Sequence, residues 1–296
     1  MEPSEPTARG KWQANGAGTF IAPLSVRQPV QRWLGNSSEL TADDLTIEEP
    51  LQIRVAGVDV AITMRTPGHD EELAAGFLFT EGLITGKHQV DSIARCPADD
   101  GTLSPNIINV QPTERDIVNP HLWGRDFLAT SSCGLCGKTS LSQVESASRS
   151  VRLVTGDFAV PVDTLYGLPD KLRAGQDTFA QTGGIHAAGL FDLDGNLVLV
   201  REDVGRHNAV DKVIGHALLN DLLPLHRHIL LVSSRASFEI VQKALMSGCA
   251  LVCAISAPSS LAVEMAGQAG LTLVAFLRQG RLNVYSGAKR VSGETS

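Results

Sequence analysis

Residues 227–278 read RHILLVSSRASFEIVQKALMSGCALVCAISAPSSLAVEMAGQAGLTLVAFLR. Three short apolar runs, RHILLVSS, GCALVCAIS and LTLVAFLR, are separated by two stretches of helical period, ASFEIVQKALMSG and SSLAVEMAGQAG. Short continuous apolar runs read as buried strands. Strand, helix, strand, helix, strand is the rhythm of a mostly parallel sheet with covering helices, so the fold class expected here is α/β. In such sheets ligands bind beyond the carboxyl ends of the strands. Those ends carry Ser233-Ser234-Arg235, Ser256-Ala257-Pro258-Ser259 and Arg278-Gln279-Gly280-Arg281.

Working outward, AAGLFDLDGNLVLV (187–200) predicts two strands around an Asp-Gly turn. VGRHNAVDKVIGHALLN (204–220) predicts a helix with Val204, Ala209, Val213 and Ala217 on one side. Farther upstream, PLQIRVAGVDVAITMRTPG (50–68) alternates through Leu51, Ile53 and Val55, is interrupted at Ala56-Gly57, and alternates again through Val58, Val60, Ile62 and Met64. That is a half-buried hairpin. In HDEELAAGFLFTEGLI (69–84), Asp70 is the expected helix cap, and Leu73, Ala74, Phe77 and Leu78 form the apolar face. IINVQP (107–112) is a further strand. The expected organisation is a mobile tail (1–20), a strand-rich α+β domain (21–125), a cysteine loop and helical linker (126–173, helical from about Ser140 to Leu172), and an α/β domain (174–290).

The 296 residues carry 25 Lys+Arg against 32 Asp+Glu, a net charge of −7. That balance disfavours nucleic acid or an anionic membrane as partner. No run of 18 apolar residues reads as a membrane span, and the first residues lack the apolar core of a signal peptide. The five cysteines (Cys96, Cys133, Cys136, Cys249, Cys253) are too few and odd in number for a secreted disulfide framework, so the expected compartment is reducing cytoplasm. Cys249 and Cys253, four apart in an apolar run, are expected as core thiols on one strand face.

Residues 131–140, SSCGLCGKTS, place Cys133 and Cys136 among glycines. A structural zinc needs four ligands, and this is one pair. A redox dithiol asks for a strand–helix junction inside a βαβ pattern, which begins only downstream. A persulfide carrier needs a depressed thiol pKa and reach: Lys138 supplies a cation, and Gly134 and Gly137 leave the sulfur sterically open. A chance pair is the bland alternative. Residue chemistry alone leaves these readings open.

SSCGLCGK, TPGHDEELAAGFLFTEGLI, TGGIHAAGLFDLDGNLVLVREDVGRHNAVDKVIG, SSRASFEIVQKA and AISAPSSLAVEMAGQAGLTLVAFLR, in their order from about residue 48 to 286, closely resemble the formate dehydrogenase accessory sulfurtransferase family, FdhD. The resemblance implies a sulfurtransferase with a cysteine persulfide intermediate. A cysteine desulfurase would load Cys133, with Cys136 as auxiliary thiol. The sulfur would pass to molybdenum in the bis(molybdopterin guanine dinucleotide) cofactor before its insertion into formate dehydrogenase. The family's cofactor-binding stretch maps onto Phe276, Leu277, Arg278, Gln279, Gly280 and Arg281, with GDP as a mimic of the bound nucleotide. It also implies a homodimer. A cofactor-binding chaperone that handles no sulfur is the alternative.

The demand for cations and helix starts around pyrophosphate is met by Arg278 and Arg281, by Ser234, Arg235 and Ser237, by Ser259 and Ser260, and by a cluster of Arg201, Asp203, Gly205, Arg206 and His207. Each arginine is otherwise an ordinary surface charge, and His186 and His207 are as readily structural. The last domain also looks like the cytidine deaminase fold. Where that fold has H-x-E and P-C-x-x-C, this chain has His207-Asn208-Ala209 and Ser234-Arg235-Ala236-Ser237, so the expectation is a vacated pocket without zinc.

Overall fold

The structure, a computed structural model, describes residues 13–14, 20–21, 23–97, 103–114 and 157–293. Of the expected tail, β1 (Gln13–Ala14) pairs antiparallel with β2 (Phe20–Ile21). β3 (Ser25–Leu34) and β4 (Ser37–Thr46) form a ten-pair antiparallel ribbon. β5 (Glu49–Val55) and β6 (Val58–Arg65) make the predicted hairpin, followed by helix α1 (Asp70–Thr80). β7 (Val90–Pro97) and β8 (Leu103–Pro112) complete a four-stranded sheet of order β6-β5-β8-β7, in which only β5 and β8 are parallel.

The hairpin differs from its sequence pattern in one respect. Ile53 pairs with Ala61 while Arg54 pairs with Asp59, so Val60 is a bulge. An extra residue reverses every later side chain. Ala61, Thr63 and Arg65 therefore face inward, and Ile62 is 41% exposed. Asp70 does not cap α1: the residue before the helix is His69, with φ +56°. Asp70 is instead buried, accepting from Arg65 Nε (3.0 Å) and Nη2 (3.2 Å) and from Arg95 Nη2 (2.7 Å).

After the undescribed stretch come β9 (Val160–Pro161), α2 (Val162–Ala174) and α3 (Asp177–Thr182). Helix is therefore present only from Val162 onward; residues 157–161, expected as helix, are irregular or strand instead, and residues 140–156 lie outside the described residues. Then follow β10 (His186–Asp192), β11 (Leu197–Asp203), α4 (Arg206–Leu219), β12 (His228–Val232), α5 (Phe238–Met246), β13 (Leu251–Ala254), α6 (Ser260–Ala269), β14 (Thr272–Arg278), β15 (Arg281–Ser286) and β16 (Val291–Ser292). The β10–β11 turn is the predicted one: Gly195 has φ +77°, and the Asp192 carboxylate accepts from the amides of Asp194 and Asn196.

The six-stranded sheet has order β11-β10-β12-β13-β14-β15. It is mixed rather than mostly parallel: only β12–β13–β14 run together, with antiparallel hairpins on both flanks. α4, α5 and α6 share one core with one sheet face, where Val210, Val241 and Met265 pack with Leu230, Val252 and Leu273. α2 covers the other face through Leu165, Leu168 and Leu172. Cys249 and Cys253 are both buried, but in different clusters on opposite faces, because the strand begins only at Leu251. Burial pushes the Cys249 thiol up to about 11 and the Cys253 thiol still higher.

The first core does not stop at the boundary between the two sheets. Leu51, Ile53, Leu73 and Leu78 belong to the same cluster as Val210 and Ile214. The joint is the crossing of α1 over α4. A Cβ on Gly76 would stand 1.9 Å from the Asp211 carbonyl oxygen, and one on Gly215 would stand 1.8 Å from that of Glu72. Around the crossing, buried Lys243 donates to Thr80 Oγ1 (2.9 Å), Asp211 Oδ2 (2.9 Å) and Glu81 Oε1 (3.2 Å), tying α5 to both helices.

Gly215→Ala is expected to lower unfolding free energy by about 3 kcal/mol or more, since backbone cannot yield to the new methyl. Gly267→Ala, in α6 with open space around its Cβ, should instead raise it by about 0.5–1 kcal/mol. Urea titration of the two variants checks the contrast; equal effects would remove the crossing as the critical contact.

Candidate functional site

β11 is antiparallel to β10 and β10 to β12, so the carboxyl ends of β11, β12 and β13 lie on one edge. Each leads directly into a helix: α4 at Arg206, α5 at Phe238 and α6 at Ser260. Three helix starts on one sheet edge bring unsatisfied amides and positive dipole ends together, a setting that favours anions. Only α6 has its first turn closed by a side chain, Ser259 Oγ accepting from the Ala262 amide at 3.3 Å.

The loops after β12 and β13 are stitched to each other. The Ala236 amide donates to Ala257 O (3.2 Å), and the Ser259 amide donates to Ala236 O (3.0 Å). The Phe276 amide donates to Ser256 O (3.2 Å), drawing β14 to the same edge. Ser233 Oγ accepts from the Ala187 amide (2.9 Å), and Ser234 is nearly buried, so neither hydroxyl is a free surface group.

The stretch expected to hold cofactor divides in two. Phe276 has φ +51°, a conformation costly for a non-glycine residue, and is half-buried against the first core. This local reversal sends Leu277 into the second core, 1% exposed, so its side chain packs inside rather than toward a ligand. Arg278, Gln279, Gly280 and Arg281 form the exposed tip of the β14–β15 hairpin.

The second expected cluster also divides. Arg201 grips Glu72 through Nε (2.5 Å) and Nη2 (2.7 Å), fastening β11 to α1. Asp203 is buried beside Lys212 Nζ at 2.7 Å and accepts from the Thr66 and Gly205 amides and from Asn208 Nδ2. Asn208 in turn donates to Met64 O (2.7 Å) and accepts from Thr63 Oγ1 (3.2 Å), so it too joins the two sheets. Sequence reasoning could not separate these internal residues from Arg206 and His207.

Arg206 and His207 stand at the mouth of α4. Arg206 Nε is buried and has no hydrogen-bond partner among the described residues. His207 Nε2 lies 3.4 Å from Ser237 Oγ and 3.8 Å from Glu239 Oε2. Burial alone would raise the Glu239 pKa, but hydrogen bonds from His207, Ser237 and its own amide prevail and bring it from 4.5 to about 2. At His186, burial first and the Arg206 charge second lower the imidazole pKa, which keeps the ring neutral at pH 7.

A cavity of about 630 Å³ opens behind this edge, between α2, α3 and the sheet. His186, Ser233 and Ile255 form its sheet side, and Arg173 and Phe179 form its helix side. Arg173 lies over the Phe179 ring at 3.7 Å from the centroid. Sequence reading gave this wall no role, having assigned Arg173 to the end of a linker and Phe179 to the domain after it; an arginine and a phenylalanine six apart carry no signal until the turn at Gly175 folds them together. Cys133 and Cys136 lie outside the described residues. Cys96 is half-buried and free on β7.

The profile of the FdhD/NarQ family matches residues 46–292. The chain belongs to the FdhD/NarQ family. Among curated relatives, the sulfur carrier protein FdhD of Mycolicibacterium paratuberculosis is 51% identical over 90% of this chain and 99% of that protein. The sulfur carrier protein FdhD of Streptomyces coelicolor is 49% identical over 91% of this chain and 96% of that protein. A crystal structure from Desulfotalea psychrophila, provisionally assigned as a formate dehydrogenase accessory protein, superposes with a TM-score of 0.72 at 26% identity, over 91% of this chain and all of that one. The α/β fold with its four-stranded and six-stranded sheets is therefore shared with that protein. Among the described residues no helix is long and apolar enough to cross a membrane.

Because the Glu239 pKa is depressed, its ionised contacts contribute fully to stability above about 4.5 and are lost as pH falls toward about 2. Glu239→Gln should therefore lower stability in the neutral region and flatten the acid limb, so that the variant and wild-type curves converge as pH falls toward about 2. Superimposable curves from thermal melts between pH 2 and 6 would contradict the pairing with His207 and Ser237.

Proposed function

We propose that this protein is a sulfur carrier that takes persulfide sulfur on Cys133 from a cysteine desulfurase. It passes that sulfur to the molybdenum bis(molybdopterin guanine dinucleotide) cofactor required for formate dehydrogenase activity. The observation that carries the reading is the SSCGLCGK motif in a chain about half identical, over nearly its whole length, to curated sulfur carriers. In the loading step the Cys133 thiolate attacks the outer sulfur of the desulfurase persulfide. A new S–S bond forms as the old one breaks, and the desulfurase cysteine leaves as thiolate. Lys138 and the flanking glycines favour a charged, open sulfur, and Cys136 serves as auxiliary thiol.

The second half of the task is holding a cofactor that carries two anionic pyrophosphates, and the sheet edge supports it. Three helix starts, the unpartnered Arg206 Nε and the exposed Arg278 and Arg281 present donors where the parallel strands end. The proposal places the protein in the cytoplasm as a homodimer, with formate dehydrogenase as recipient of the finished cofactor.

Incubation with a desulfurase and cysteine should add about 32 Da to the wild-type protein and nothing to Cys133→Ala. The same substitution should abolish formate dehydrogenase maturation with the melting curve unchanged. Retained maturation would exclude Cys133 as carrier, and maturation lost with no adduct on the wild type would favour a cofactor chaperone. Arg278→Ala or Arg281→Ala should weaken GDP binding by about 1–3 kcal/mol each, read by titration calorimetry. Unchanged affinity would move the phosphate contacts away from the hairpin tip.

A further inference from the structure

We propose that the outer edge of β4 is the docking surface for a second copy of this chain, the two β4 strands pairing antiparallel about Leu40 into a continuous sheet of order β3-β4-β4-β3. The inference rests on the homodimer in the function proposed above and adds which surface joins the copies.

Among the described residues β3 and β4 form a sheet of two strands, with no third strand on either side. A ribbon of that kind is marginal in water by itself. Its base is held: Thr46 Oγ1 lies 2.7 Å from Thr182 Oγ1 of α3, and Val26, Gln28 and Val30 are partly covered. Its outer half is not held. Every residue from Gln31 to Leu40 is exposed, including Trp33 (63%), Leu34 (65%) and Leu40 (87%). The turn is nevertheless well formed, with Gly35 at φ +63° in the first place of a two-residue loop and Ser37 Oγ donating to Leu34 O (3.0 Å). A regular ribbon that ends in tryptophan and leucine is an edge left open for pairing.

The phase of the hydrogen bonds decides which edge. The Ile47 amide donates to Leu24 O (3.0 Å), one step beyond the Ser25–Thr46 pair. Bonded and non-bonded pairs alternate along an antiparallel ladder. Arg27–Asp44, Pro29–Ala42, Gln31–Leu40 and Trp33–Ser38 are therefore non-bonded pairs, whose backbone groups point outward. On β3 the middle of that outward row is Pro29, which has no N–H to give and so closes the edge. On β4 the row Ser38, Leu40, Ala42 is intact.

The β4 edge is complementary to itself. Paired about Leu40, that residue meets its own counterpart, Ser38 meets Ala42, and Glu39 meets Thr41. Centring one residue later sets Glu39 opposite Asp43, and one earlier sets Glu39 opposite itself; like charges directly opposed are destabilising. Glu39 and Asp44 each face an arginine of their own ribbon, Arg32 and Arg27, so two copies approach without strong repulsion. Trp33 lies diagonal to Leu40 on the same face, and the joined sheet sets two leucines between two indoles. The pairing is isologous and closes at two copies. The ribbon lies ahead of the family-matched stretch, which begins at Thr46, so altering it leaves the motifs of the proposed chemistry in place.

Sedimentation equilibrium of the full-length protein tests this. The wild type should be a dimer. Ala42→Pro removes an outward amide from β4, as Pro29 does on β3, and takes no ladder bond from the ribbon. It should weaken dimerisation at least about thirty-fold, as should Leu40→Asp, which sets two carboxylates against each other. Gln31→Pro makes the same change on the edge that Pro29 already closes, and should leave dimerisation within about two-fold of the wild type. Dimerisation kept in Ala42→Pro, or lost equally in Gln31→Pro, would overturn the surface and leave the homodimer standing. A monomeric wild type would overturn both and leave the edge to a strand of another protein. Persulfide loading of Cys133, weighed on the same samples, reports separately: no adduct on a dimer that Ala42→Pro breaks would sink the sulfur reading alone.

Discussion

The structure depends on two helices that touch backbone to backbone. At Gly76 and Gly215 no side chain intervenes between α1 and α4, and the space a methyl would need is already filled by the carbonyls of Asp211 and Glu72. Such an approach is open only to glycine. It lets the four-stranded sheet, through α1, and the six-stranded sheet, through α4, share one apolar core. Because the helices lie so close, their buried polar groups must be satisfied locally. Lys243, Asp211, Thr80 and Glu81 form one closed network beside the crossing, and Asp203, Lys212, Asn208 and Thr66 form another at its edge. Breaking one member of either would leave a buried charge uncompensated, which costs more than the pair contributes.

That joint positions the candidate site. The start of α4, which carries Arg206 and His207, is held at one end by the Asp203–Gly205 turn and along its length by α1. Consequently the charged residues near the sheet edge fall into two kinds. Arg201, Asp203 and Lys212 point inward and hold the two sheets together, whereas Arg206, Arg278 and Arg281 make no ion pair with a carboxylate among the described residues. The φ of +51° at Phe276 belongs to the same logic: a local cost of about 1–3 kcal/mol buys the change of face that buries Leu277 and leaves Arg278 at an exposed tip.

Much of this was legible in residue order. The apolar runs that became β12, β13 and β14, the Asp194-Gly195 turn and the helices between them all follow from period and turn chemistry, because those signals are local. The local signals failed where a distant contact outweighed them. Asp70 has the chemistry of a cap, yet two arginines claim its carboxylate. Ile62 and Met64 continue the alternation of the hairpin, yet one bulged residue turns Thr63 and Arg65 inward to meet Asn208 and Asp70. The expected one-sided placement of Cys249 and Cys253 failed because the strand covers only the second of them.

By itself the sequence determined the α/β class, the family, and the cysteine motif on which a sulfur chemistry is proposed, since element periodicity and motif spacing are properties of neighbours along the chain. Tertiary structure alone decided which arginines are structural and which are available, and brought Arg173 onto Phe179 to make a wall beside His186 and Ser233. Those outcomes depend on burial and on partners more than a hundred positions away, such as Glu72 for Arg201, and no local pattern encodes the free energy of a contact made across that distance.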